Sequence, residues 1–152
     1  MLLMGVTQAH ARTLRSGLAQ RPRPKVNSTI KQRKYLVQFR LNTGFNSRVT
    51  TLDSIESNIP TDGPVVIVTA SYEGEPPDNA GRFVEALKRT SKGALANVRF
   101  AVFGCGHHDW VHTYQKVPTL VDNLIEEYGG QRLLERAAAD SGADDFFDYV
   151  RE

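Results

Sequence analysis

The chain of 152 residues has one cysteine, Cys105, one tryptophan, Trp110, and no aromatic residue before Tyr35. A lone cysteine neither closes an internal disulfide nor builds a thiolate zinc centre, which points to a reducing, cytoplasmic setting. Long apolar runs are missing too. The longest, Pro64 to Ala70, is seven residues, against the roughly 18 needed for a membrane-spanning helix. The first 50 positions hold ten of the 19 Lys and Arg and no acidic residue, whereas the rest carries 9 basic and 17 acidic groups, a net of −8. With 40% hydrophobic and 24% charged residues, the composition is globular, and the length suits one core.

No apolar face persists at helical or strand period from Met1 to about Lys34, and Arg21-Pro22-Arg23-Pro24 would interrupt any helix. Residues 1–34 therefore read as a basic, disordered arm. Its Arg-rich, acid-free composition also suits a mitochondrial presequence, and the missing aromatics argue against stacking on nucleic-acid bases. Residues 35–152 read as the domain. Residues 34–41 alternate as a strand does, and Asn42-Thr43-Gly44 is turn chemistry before a second candidate strand over 47–52, which makes a hairpin one option.

Residues 64–70 are β-branched and apolar on both faces, the pattern of a strand inside a parallel sheet covered on both sides. Residues 79–90 place Phe83, Val84 and Leu87 on one helical face, with Pro76-Pro77-Asp78 as stop and cap. A second buried strand follows over 97–104. The helix carrying Val117, Leu120, Val121, Leu124, Ile125 and Tyr128 ends at Gly129-Gly130. A short strand over 132–136 and a final helix from about Asp144 complete an alternating α/β pattern, whose usual outcome is a layered, mainly parallel sheet.

Ligands of open parallel sheets bind beyond the carboxyl ends of the strands, here the segments after Val68 and Phe103. Each offers one large ring, Tyr72 and Trp110. Two rings on adjacent strand ends form a slot for a flat cofactor, or else merely cover the sheet edge.

Residues 68–80 (Val-Thr-Ala-Ser-Tyr-Glu-Gly-Glu-Pro-Pro-Asp-Asn-Ala) and 102–118 (Val-Phe-Gly-Cys-Gly-His-His-Asp-Trp-Val-His-Thr-Tyr-Gln-Lys-Val-Pro) closely resemble the FMN-binding, flavodoxin-like domain of diflavin reductases. The nearest likeness is to the reductase half of self-sufficient cytochrome P-450 fatty-acid hydroxylases, extending from about Gly44 to Glu152. The resemblance implies a three-layer flavodoxin-like sandwich. It implies that Tyr72 and Trp110 stack on the two faces of FMN, that Ala70, Ser71, Glu73 and Gly74 approach the ring edge, and that Cys105, Gly106, Asp109 and Thr113 line the second loop. It further implies electron relay from an FAD- and NADPH-binding reductase domain to a haem monooxygenase, with no side chain acting as acid or base. A carboxylate at Glu73 beside the ring would disfavour an anionic reduced flavin and lower its potential.

The chain departs from the family at its start. Residues 36–44 echo the first strand and phosphate loop, yet Leu41 stands where a hydroxyl residue belongs and Phe45 where a threonine closes the turn. Too few residues separate Gly44 from the next strand for a crossover helix, so the first strand and helix are expected to be incomplete. The family's last helix is also cut short. The alternative reading is thus a flavodoxin-like remnant without FMN, and a third is a nucleic-acid binder working through the arm.

Cys105, His107, His108 and His112 fall within eight residues, the raw material for a metal site or a Cys-His nucleophile. Adjacent histidines rarely converge without supporting carboxylates, and no nucleophile elbow surrounds Cys105, so neither metal nor hydrolysis is expected.

Overall fold

The computed structural model describes residues 48–140 together with the backbone of residues 2–5. Among the described residues six strands and two helices follow one another: β1 (Leu2–Gly5), β2 (Val49–Thr51), β3 (Val65–Ala70), α1 (Gly81–Lys88), β4 (Arg99–Gly106), α2 (Lys116–Glu127), β5 (Gln131–Arg132) and β6 (Ala137–Asp140). All pair in parallel, in the order β2-β1-β3-β4-β5, with β6 also on β4. The α/β class expected from the alternating pattern is what forms.

Leu2–Gly5 lies inside the sheet between β2 and β3, with Leu2 opposite both Val49 and Val66. These four residues belong to the sheet and not to the expected arm over 1–34. A four-residue strand is too short to declare a period, and its ladder is closed by segments more than 40 positions away. The rest of the arm, the strand over 35–41 and the final helix from Asp144 lie outside the described residues. β2 pairs with β1 in parallel.

β3, α1, β4 and α2 fall within two residues of the ranges read from periodicity. Both helices seal one face of the sheet, where Val65, Ile67, Phe100 and Val102 meet Phe83, Val84, Leu87, Val117, Val121 and Ile125 in one buried cluster. Successive moves β3 to β4 to β5 in one direction, with right-handed crossovers, bring both helices to that face. Coverage of β3 is therefore unequal: Val65 and Ile67 are fully buried, whereas Val66 on the opposite face is 37% exposed.

Neither helix is capped by its own N-cap side chain. At α1 the cap is Asp53, in a short 3-10 turn after β2, whose Oδ1 accepts from the Phe83 N–H at 3.1 Å; Asp78, the expected cap, does not take that place. The end of α2 follows expectation. Gly129, at φ 100°, donates to Glu126 O and Gly130 to Ile125 O, the paired bonds of a Schellman close.

The expected strand over 132–136 is instead two short strands on the edge of β4. β5 pairs with its first residues and β6 with its last, Phe103 to Gly106. Between them the side chains turn outward, Leu134 being 70% exposed, so no single face holds the segment down.

Candidate functional site

β3 and β4 run side by side to their carboxyl ends, where Ala70 lies opposite Cys105. The loop after β3 closes at once. Tyr72 and Glu75 exchange both backbone hydrogen bonds at 2.9 Å, and Glu73 (φ 52°) and Gly74 (φ 87°) take left-handed conformations between them. That is a type I′ turn, which favours glycine at its second central position. Gly74 also lies close to the second loop: a Cβ there would stand 3.1 Å from Lys116 Nζ and 3.4 Å from Thr113 Cγ2. The two loops are thus in contact.

A second tie joins them. Ser71 Oγ accepts from the Val117 N–H at 2.8 Å, filling one open donor at the start of α2. The loop after β4 is folded back by Gln115, a buried residue with φ 60°, whose Nε2 donates to Gly104 O at 3.0 Å. Its Oε1 accepts from Arg136 Nη1 at 2.7 Å. Both glycines of β4 make room for this fold: a Cβ on Gly104 would stand 1.9 Å from Gln115 Oε1, and one on Gly106 2.8 Å from the Tyr114 ring.

These constraints present two rings. Tyr72 is 44% exposed and Trp110 53%, large apolar areas left uncovered at neighbouring strand ends. Trp110 is held through its backbone: its N–H donates to His107 O, and its carbonyl accepts from the Thr113 and Tyr114 N–H groups. Ala70, Ser71, Cys105, Gly106 and Thr113 are half-buried, Gly74 is buried, and Glu73 and Asp109 are exposed. All ten residues singled out by sequence thus fall on this one edge. Two have side chains committed elsewhere: Ser71 to α2, and Asp109, whose carboxylate lies beside His107 and His108.

Sequence reading missed Gln115, Lys116, Arg136 and Asp140. Asp140, at the end of β6, accepts from the His108 N–H at 3.1 Å and so pins the second loop to the sheet. Burial pushes the Cys105 thiol up to about 11, leaving it neutral at physiological pH. Further from the edge, Arg132 grips Asp122 through two bonds at 3.1 and 2.9 Å and reaches Glu126 at 2.7 Å. The hydrogen bond to Asp122 raises the Arg132 pKa, and the cluster ties β5 to α2.

An open parallel sheet in this strand order, with rings bared above its carboxyl edge, defines an α/β protein of the class whose ligands bind beyond the strand ends. Residues 37–152 match the family Flavodoxin, and the chain belongs to the flavodoxin family. It is 54% identical over 105 residues to a self-sufficient cytochrome P450 monooxygenase of Phanerodontia chrysosporium, a match covering 69% of this chain and 10% of that protein. It is 47% identical over 105 residues to a bifunctional cytochrome P450/NADPH–P450 reductase of Fusarium oxysporum, covering 68% and 10%. A Bacillus subtilis bifunctional cytochrome P450/NADPH–P450 reductase is 48% identical over 103 residues, again 68% and 10%. The matched part spans about a tenth of the length of these relatives.

Among solved structures, oxidised flavodoxin 1 from Bacillus cereus superposes with a TM-score of 0.61 at 12% identity, covering 98% of this chain and 89% of that one. The C101A mutant of flavodoxin from Pseudomonas aeruginosa gives 0.63 at 17% identity, covering 99% and 92%. Both establish the fold. Among the described residues, no helix is long and apolar enough to cross a membrane.

Proposed function

We propose that this chain is an FMN-binding electron-transfer domain. In this reading it relays electrons from an FAD- and NADPH-binding reductase partner to a haem monooxygenase. The observation that carries the reading is the pair Tyr72 and Trp110, half-exposed at the ends of adjacent parallel strands. The relatives' names supply the partners: cytochrome P450 and NADPH–P450 reductase activities are combined in single proteins.

FMN, when bound, supplies one- and two-electron redox chemistry; the chain holds and tunes it. Tyr72 and Trp110 offer stacking surfaces, each worth about 0.5–1.5 kcal/mol beyond burial. Gly74 and Gly106 let the two loops that carry these rings fold closely. The neutral Cys105 thiol adds no charge, and Glu73 adds a negative one. Residues beyond position 50, at a net −8, suit steering toward a basic partner surface.

The test is a titration of FMN into the full-length apo-protein, followed by quenching of flavin fluorescence. Saturable quenching is expected, weakened up to about tenfold by either Tyr72→Ala or Trp110→Ala. A wild-type chain that folds yet quenches nothing would leave the sheet as a cofactor-free remnant, the outcome to which Leu41 and Phe45 in the phosphate-loop segment point.

A further inference from the structure

Adjacent histidines on a loop hold a cation only when carboxylates converge on them, and the fold brings two. The first is Asp109, next in sequence. The second is Asp140, 32 positions further on, whose Oδ2 lies 2.6 Å from His108 Nδ1 while its Oδ1 takes the His108 N–H. A carboxylate so placed fixes the orientation of the ring and turns Nε2 toward Asp109 as the atom available for a ligand.

That nitrogen stands 3.2 Å from Asp109 Oδ1. His107 stands on the other side: its Nδ1 is 3.6 Å from Asp109 Oδ2 and accepts the Asp109 N–H at 3.2 Å, a bond that a cation at Nδ1 would replace. One donor atom from each of the three residues lies within 4.8 Å of the others, and the two imidazoles stack with centroids 5.1 Å apart. Donors about 2.0–2.1 Å from a tetrahedral cation stand about 3.3 Å from each other. The contacts of His108 Nε2 with Asp109 Oδ1, 3.2 Å, and of His107 Nδ1 with Asp109 Oδ2, 3.6 Å, are of that order.

We propose that His107, His108 and Asp109 bind a divalent cation of the Zn2+ class, with Asp140 as the positioning residue that aims His108 Nε2. Two imidazoles and one carboxylate suit borderline d-block ions over Mg2+ or Ca2+, and three protein ligands leave a fourth position to water. The cluster is exposed, so the ion enters from solvent; His112, on the same loop, is not part of it. The site does not depend on flavin.

The experiment is a calorimetric titration of ZnSO4 into the untagged full-length chain without flavin, at pH 8, where protons compete least. One equivalent of Zn2+ is expected. His107→Ala and His108→Ala should abolish binding or weaken it by more than about a hundredfold, and Asp140→Asn should weaken it about 10- to 100-fold. Tyr72→Ala should leave it unchanged. Co2+ in place of Zn2+ reads the geometry independently, through the visible bands of tetrahedral cobalt, which should shift in Asp140→Asn if that residue orients the ligand. Wild-type protein that takes up no Zn2+ overturns the proposal, as does His107→Ala protein, folded by circular dichroism, that binds with wild-type affinity. His107 is half-buried in the loop after β4 and outside the core cluster, so its replacement leaves the core intact and this last arm decides even if Asp140→Asn unfolds.

Discussion

Ser71 Oγ caps the first turn of α2 by accepting the Val117 N–H at 2.8 Å, across 46 positions of sequence. One hydroxyl thereby fixes both the loop that carries Tyr72 and the helix that begins where the Trp110 loop ends. Replacing a capping hydroxyl by a methyl costs about 1 kcal/mol. Ser71→Ala should therefore lower the urea midpoint without changing the slope, while Ser71→Thr keeps most of the stability. The same variant should loosen FMN, because the two loops lose a shared anchor.

A sharper effect is expected at Gly104. An added Cβ would stand 1.9 Å from Gln115 Oε1 and 2.8 Å from Pro118 Cβ, and both neighbours are buried. Gly104→Ala must push Gln115 out, breaking its bonds to Gly104 O and Arg136, at a cost of about 1–3 kcal/mol. Gly81→Ala is the control. Nothing lies within 4 Å of its Cβ position at the start of α1, so this change should stabilise by about 0.5–1 kcal/mol. Thermal melts of the two variants should move in opposite directions.

What was legible in the sequence follows from how local its cause is. β3, α1, β4 and α2 announce themselves through their own periodicity, and Gly129-Gly130 ends α2 as its glycines suggest. The helix starts are different: Asp53 reaches α1 across 30 positions and Ser71 reaches α2 across 46, so no window of sequence contains both partners. β1 hides for the same reason, since Leu2–Gly5 becomes a strand only between β2 and β3. At the candidate site, the rings and glycines were visible as unusual residues at strand ends. Gln115 and Asp140 were not, because an ordinary polar residue shows its role only once the fold gives it Gly104 or His108 as neighbour.

Cys105 supplies a pH dependence. Its thiol is pushed up to about 11 by burial, whereas an unfolded cysteine ionises near 8.5. Between those values the unfolded chain gives up a proton that the native chain keeps, so stability falls as pH rises through this window and is unaffected by the thiol below it. Chemical denaturation from pH 8 to pH 10.5 should show this decline, and Cys105→Ala should flatten it. Alkylation of the native thiol at pH 8 should run about two orders of magnitude slower than in denaturant, because the thiolate is that much scarcer.

Glu73 sits at the first central position of the Tyr72–Glu75 turn, with φ 52° and an exposed side chain. If the isoalloxazine lies against Tyr72, each electron added to it meets this carboxylate. Two like charges about 4 Å apart in water repel by about 1 kcal/mol, a few tens of millivolts for one electron. Glu73→Gln should therefore raise the reduction potential of the bound flavin by that amount. Lys116 gives the opposite control: its Nζ lies against Gly74, and Lys116→Met removes a positive charge, so the potential should fall. Both shifts should shrink as salt is added, since the groups are exposed to solvent. A change in turn geometry would not reverse sign between the two variants or respond to salt, so opposite, salt-sensitive shifts would put the ring beside this turn. Potentials unmoved in both would remove it from there.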